Sequence, residues 1–261
     1  MLELARRGLA DLGAAFKLRD IWWALASEDI ADSHRQTMLG PIWPLLNYLL
    51  FVGTLVLVLG QAGSPNFVAY VSTGMLAWLF ISDVLSMSAT LFSREENFIK
   101  GTVLPISTYV MRQTLVISIR SFYALLGAVA ILLYSGFAVT PALLSVVPAV
   151  FVLLLAAPAV AVLFGIAGAF FRDFQFIVVN ATRLLMFITP IFWTDPGAGG
   201  LLGFLYYWNP LTHYIDIIRM PIVDGTVPMN SWTVALSITA LLLAAALIAL
   251  GKFNRRIVFQ L

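Results

Sequence analysis

Residues 121–171 read SFYALLGAVAILLYSGFAVTPALLSVVPAVFVLLLAAPAVAVLFGIAGAFF, and none of them is charged. Arg120 and Arg172 bound the run. As one helix at 1.5 Å per residue, its ~51 residues would extend about 77 Å. A bilayer core is only about 30 Å thick. The run therefore crosses a membrane, turns and crosses back. Ser135-Gly136 and Thr140-Pro141 write the turn, through backbone freedom at glycine and a missing N–H at proline.

The rest of the chain agrees. It has 261 residues, 61% hydrophobic and 11% charged, with a mean hydropathy of +0.95. A soluble domain carries about a quarter of its residues charged. A net charge of +2 is too small to argue for nucleic acid. With no cysteine there is no disulfide framework, thiol nucleophile or cysteine metal site. His34 and His213 lie far apart in sequence. Glu3, Arg6, Arg7 and Asp11 interrupt the first residues before an apolar core develops, so no signal peptide is expected.

The expected fold is an all-α integral membrane protein with six spans, at 42–59, 67–92, 105–134, 141–171, 174–193 and 232–250. Residues 1–41 form a cytoplasmic segment with an amphipathic helix, 42–251 the six-helix membrane domain, and 252–261 a cytoplasmic tail. Eleven of the 15 Lys and Arg fall on the side shared by both termini, and only Arg219 falls opposite. Both termini are therefore expected in the cytoplasm. The connection at 191–231 holds two short apolar pieces, 200–208 and 211–220, divided by Asn209-Pro210. Each is too short to cross; a re-entrant hairpin or a folded outer loop would fit.

Before the first span, residues 20–36 gather Ile21, Trp22, Leu25 and Ala26 against Glu28, Asp29, Asp32, His34 and Arg35. This predicts a helix in the headgroup layer, either as a plain anchor or with a further task. Between spans two and three, Glu95, Glu96, Asn97, Phe98, Ile99 and Lys100 mix charge with apolar bulk. A short helix with an apolar knob ringed by charge suits a docking peg for a cytoplasmic partner. Phe98 dipping back into the membrane surface is the alternative.

Arg35-Gln36-Thr37-Met38-Leu39-Gly40-Pro41-Ile42-Trp43 resembles the R-x-T-x-L-G-P-x-W signature of the membrane subunit of type-2 ABC exporters of polysaccharides, the O-antigen, capsule and teichoic acid permeases. Further similarities follow in order: the 95–100 segment with Leu104-Pro105, Arg172-Asp173, Thr189-Pro190-Ile191-Phe192, and Trp208-Asn209-Pro210 with Arg219 downstream. The resemblance implies a homodimer bound to two ATPase subunits in a bacterial inner membrane. It implies an interface helix and pore opening at Trp22, Trp23, Arg35, Gly40 and Trp43. It makes the 95–100 segment the coupling helix and Asn209, Pro210 and Arg219 an outer re-entrant gate. The implied cargo is a lipid-linked glycan moving between the two copies.

This chain is expected to bind no cofactor; ATP and Mg would act through the partner ATPase. The glycine run Gly197-Ala198-Gly199-Gly200-Leu201-Leu202-Gly203 has no lysine, and Gly251-Lys252 lacks the upstream glycine of a phosphate loop.

Charges within spans are functional candidates by default. Asp83 and Arg183 have matched helical depth, which suggests a pair between spans two and five. Arg112 is near enough to the boundary to snorkel, whereas Arg120 is deeper and needs a partner, water or a phosphate. Tyr48, Phe51, Phe187, Phe192 and Trp193 are candidates for a smooth aromatic glycan path, or for simple packing. Asp83 would instead be the ion site of a secondary transporter, although its span has no Gly or Pro break beside it and no inverted repeat is evident. A membrane glycosyltransferase would need a cluster of acid–base or metal-binding residues, and none is evident. Within the exporter class, a drug or small lipid is the alternative cargo.

Overall fold

The structure is a computed structural model that describes residues 1–35, 37–59, 66–193 and 200–260. Gln36 of the 35–43 motif, the expected turn at 60–65, and 197–199 of the glycine run lie outside the described residues. Among the described residues every regular element is helical.

The apolar run that opened the sequence reading folds as expected. Helix α1 is Leu2–Lys17, α2 Arg19–His34, α3 Trp43–Leu59, α4 Phe67–Ser88, α5 Leu91–Arg94, α6 Glu96–Gly101 and α7 Ile106–Ser135. Helix α7 ends on Gly136, whose φ of 68° is a left-handed cap that favours glycine. A 3₁₀ turn at Pro141–Ser145 then leads into α8, Val146–Phe170. Helices α9 (Phe174–Ile188), α10 (Gly200–Trp208), α11 (Pro210–Val223) and α12 (Met229–Gln260) complete the chain.

Among the described residues, four stretches are long and apolar enough to cross a membrane: Phe67–Ser88, Ile106–Ser135, Pro141–Phe170 and Met229–Asn254. Helices α3 and α9 are apolar but have 17 and 15 residues, about 26 and 22 Å. The expected fifth span stops early because Pro190 holds Thr189 extended, at φ −81° and ψ 137°. The expected second span bends after Ser88 and resumes as α5. At the bend a Cβ on Gly168 would collide with the Ala89 carbonyl, so the absence of a side chain there lets α8 touch the α4–α5 corner.

Helix α4 sits at the centre, against α3, α7, α8, α9 and α11. Its Met75 and Trp78 share a core with Ile117, Leu153 and Ile215. A second core, with Phe92, Ile99, Tyr109, Ile166, Leu250 and Ile257, fills the end that bears the charged loop 94–100. That end is called the basic end below.

Apolar and polar side chains segregate onto two faces in α1 and hardly at all in α2. The two-sided helix expected at 20–36 is therefore found earlier, at α1. Helix α2 buries Ala26 and ties Asp29 to α7, while Trp23 stays 57% exposed, so polar and apolar residues share its inner side. Helix α1 packs on α12 at backbone contact: a Cβ on Gly8 would strike the Leu247 carbonyl, and one on Gly251 the Leu4 carbonyl. Residues 252–260 continue α12 rather than leaving it.

Asp11 joins three helices. Its Oδ2 accepts from the Ser107 N–H (2.9 Å) and hydroxyl (2.6 Å), and its Oδ1 accepts from Asn254 Nδ2 (2.7 Å). Helix α7 has no side-chain cap from its own N-cap residue, Pro105, so α1 supplies the acceptor that its first turn needs. Asp11→Ala should cost about 1–2 kcal/mol, the upper range for a lost cap. The thermal unfolding midpoint of the detergent-solubilised protein reads this, and Asp11→Asn, which keeps an acceptor, should lose less.

Candidate functional site

Helices α3, α4, α7 and α9 enclose a groove of about 1040 Å³. Asn47, Tyr48, Phe51, Ser82, Asp83, Ser86, Arg120 and Arg183 contribute its polar and aromatic lining. Trp43, Phe51 and Arg183 on its rim are exposed, so one flank is open. The Tyr48 ring is buried, and its hydroxyl donates to the Ser72 carbonyl at 2.7 Å, bracing α3 on α4. Phe187, Phe192 and Trp193 lie outside the groove's lining. They gather at the end of α9, where Trp193 Nε1 donates to the Phe187 carbonyl and the two Phe rings stand 6.5 Å apart.

Asp83 and Arg183 share this groove but form no ion pair among the described residues. The cation that acts on Asp83 is Arg120, from α7. Equal helical rise fixes depth alone. Which side chains meet depends on how the helices are rotated, and that correction comes only from the assembled bundle.

Below the groove, at the basic end, Arg112 holds two carboxylates. Its Nε and Nη2 donate to Asp29 on α2 at 2.7 and 2.6 Å, and its Nη1 donates to Glu95 at 2.8 Å. This is the planar fork of guanidinium used in full, bidentate to one acid and single to the other. Arg112 thus does not snorkel; α2 covers it, and it is only 15% exposed. Arg94 reaches Gln113 Oε1 at 3.3 Å, and Gln113 Nε2 donates to Ser88. A cavity of about 350 Å³ lies among these groups, and Arg120 lines both it and the larger groove.

The segment 95–100 splits into an inward and an outward set. Glu95 turns in to Arg112, and Ile99 is 4% exposed within the basic-end core. Asn97, Phe98 and Lys100 face out, with Glu96 half-buried beside them. The expected two-residue knob is therefore Phe98 alone, set edgewise on Tyr109 with ring centres 6.2 Å apart. Lys100 donates to Glu96 at 2.6 Å. That hydrogen bond, then the Lys100 charge, holds the Glu96 carboxyl below its ordinary range. The interaction is intact at neutral pH and lost only as pH falls through that lowered value.

At the opposite end, Asn209 and Pro210 start α11. Asn209 Oδ1 accepts from the Leu211 N–H at 3.0 Å, and Pro210 takes the first helical position, where no N–H is needed. Asn209 Nδ2 also donates to Thr189 Oγ1 at 2.8 Å, fastening α11 to the end of α9. Helices α10 and α11 have 9 and 14 residues, each below a bilayer's thickness. Helix α11 is nonetheless buried from Thr212 to Arg219, packed on α4, α8 and α12. Arg219 is 2% exposed. It pairs with Asp216, donates to the Pro190 carbonyl and lies 4.0 Å over the Tyr70 ring. Tyr206 donates to the other Asp216 oxygen at 3.2 Å.

The family model described as "ABC-2 type transporter" matches residues 21–223, the stretch from α2 through α11 that contains the groove, the Arg112 contacts and buried α11. The chain belongs to the ABC-2 type transporter family. Two curated relatives from Klebsiella pneumoniae, both named "O-antigen export system permease protein RfbA", are similar over most of their length. One is 23% identical over 215 residues, covering 80% of this chain and 82% of the relative. The other is 21% identical over 242 residues, covering 91% and 92%. As an ABC-2 membrane subunit, this permease is a transport component and not an enzyme, and ATP hydrolysis belongs to a separate subunit.

The family match excludes α1 and all of α12, the two helices that Asp11 ties to α7. Sequence reasoning found the permease's charged loop and the Asn209-Pro210 break. It missed Asp29 and Asp216 as partners. Asp216 stands three residues before Arg219, a spacing that puts both on one helix face and could have revealed the pair. Asp29 and Arg112 are 83 residues apart, and no local signal links them.

Proposed function

We propose that this permease is the membrane half of an ATP-driven exporter that moves a lipid-linked polysaccharide, O-antigen-like in class, from the cytoplasmic side across a bacterial inner membrane. Two copies form the pore, and two ABC ATPase subunits bind Mg and ATP and drive it. Helices α3 and α9 complete six spans, both termini are cytoplasmic, α1 and α2 lie at the interface, and α10–α11 form a re-entrant outer gate. The names of the two relatives support the cargo class.

One observation carries the pore. The groove presents Asp83, Arg120 and Arg183 at membrane depth with one flank open. Ionised groups facing hydrocarbon are costly and are normally turned to protein or water. A second copy laid over the open flank would enclose these charges in an aqueous passage. Because the chain has no cysteine, single cysteines test this cleanly. Phe51→Cys on the groove rim should give oxidised, crosslinked dimers in membranes, and Leu241→Cys on the exposed side of α12 should not. The reverse pattern would remove the pore from this groove.

Phe98 is the outward knob of the coupling helix in this reading. Phe98→Ala should reduce co-purification of the partner ATPase about tenfold, the effect of one lost hot-spot residue. Unchanged co-purification, or export driven by a proton gradient without the ATPase, would overturn the coupling assignment.

A further inference from the structure

Arg120 stands where the two polar cavities meet. The other arginines of the smaller cavity have partners: Arg112 holds two carboxylates, and Arg94 has Glu95 and Gln113. Arg120 lies eight residues beyond Arg112, about 12 Å farther along α7. Among the described residues its one hydrogen bond goes to the Met87 sulfur at 3.9 Å, and no carboxylate is within ion-pair distance. A thioether is a weak acceptor and does not balance a guanidinium in a membrane span. Ser86 and Ser121 line the same groove, while the Ser82 hydroxyl there donates to the Leu79 carbonyl. Trp43, Phe51 and Arg183 leave the groove's flank open, and with a second copy set over it a lipid would enter between the two copies.

We infer that Arg120 binds the phosphate of a lipid headgroup entering the groove from the membrane. The inference rests on the groove being the substrate's route. Guanidinium presents paired donors that match phosphate oxygens, and the serine hydroxyls supply further donors around them. On the wall of the small cavity behind Arg120, Asp29 and Glu95 balance Arg94 and Arg112, which leaves Arg120 as its uncompensated cation among the described residues. Asp83 acts in the opposite sense. It is the carboxylate that acts on Arg120 from within the same groove, it accepts but cannot donate while ionised, and it repels a phosphate. Asp83 therefore limits how tightly the headgroup is held, which suits a cargo that must move on.

The test uses the permease bound to its ATPase in phosphatidylcholine nanodiscs, titrated with farnesyl diphosphate, farnesol, dioctanoyl phosphatidic acid or inorganic diphosphate. The wild type should bind farnesyl diphosphate and not farnesol. Arg120→Gln should weaken that binding about 10- to 100-fold, Arg120→Lys should recover part of it, and Asp83→Asn should tighten it. A purely structural role for Arg120 would not predict tighter binding in Asp83→Asn, so that variant decides even if Arg120→Gln folds poorly. Equal affinity in wild type and Arg120→Gln, with farnesyl diphosphate still bound, overturns the Arg120 site and leaves the exporter reading standing. Inorganic diphosphate binding as tightly as farnesyl diphosphate overturns the lipid source. Tighter, Arg120-dependent binding of phosphatidic acid keeps the site and points to a phospholipid anchor. A wild type that binds none of the four overturns both the site and the lipid-linked cargo.

Discussion

Arg219→Ala lowers the unfolding free energy of the solubilised permease by about 3–5 kcal/mol, the usual effect of removing one partner from a buried ion pair. Arg219 is 2% exposed, and so is its partner's side chain. Alanine at 219 strips Asp216 of its cation and leaves that carboxylate with the Tyr206 hydroxyl alone among its described hydrogen bonds. It also frees the Pro190 carbonyl and uncovers the Tyr70 ring. The damage falls on the junction of α4, the end of α9 and α11, so α11 should loosen before the basic end does. Arg219→Lys keeps charge but not the fork, so it recovers only part. The double change Arg219→Met with Asp216→Leu should recover most of the loss, since no buried charge then remains unpaired. Thermal unfolding in detergent reads all three. A loss below about 1 kcal/mol in Arg219→Ala would mean that water reaches Asp216 and that the pair is not sealed.

Arg112→Gln is expected to break coupling rather than folding. Arg112 is the one described side chain that bonds α2, α7 and the Glu95 corner together. With α6 as the proposed coupling helix, a displacement imposed there would reach α2 and α7 through this clamp. Without it the ATPase should still bind and hydrolyse ATP, while export falls at least about tenfold, the loss expected for two charge-assisted contacts. Asp29→Asn frees α2 alone, and Glu95→Gln frees the coupling segment alone; each should cost less than Arg112→Gln. Arg112→Lys keeps the charge but cannot serve both acids in the same geometry. Reconstituted vesicles that report ATP hydrolysis and transport together settle this. Parallel loss of both activities would make Arg112 a folding residue instead.

The two predictions differ in how far the sequence showed their contacts: Asp216 and Arg219 share a helix face at three-residue spacing, whereas Asp29 and Arg112 stand 83 residues apart. The membrane class, the turn inside 121–171 and the break at Asn209-Pro210 depend on residues adjacent in the chain. Proline's missing N–H and glycine's positive φ act locally, so those positions were legible, whereas the early stop at Thr189-Pro190 was read through. The charged loop 94–100 was legible as a unit, but not its facing. That Ile99 turns in and Phe98 out depends on the second core beneath it. The amphipathic helix was placed one segment late, because pattern reading weighed the tryptophans of α2 and not the close fit of α1 on α12.

Charge pairing divides along the same line. Hydropathy located Asp83, Arg112, Arg120, Arg183 and Arg219 as charges that need an explanation. Depth along a helix follows from counting residues, and it placed Asp83 beside Arg183. Rotation about the helix axis does not follow from counting, and in the groove the cation whose charge acts on Asp83 is Arg120, with no ion pair formed among the described residues. The sequence alone determined that this chain lives in a membrane, where it breaks, and which residues there bear charge. Only the tertiary structure decided which charges meet, because partners such as Asp29 and Arg112 are joined by packing across 83 residues and not by any spacing in the chain.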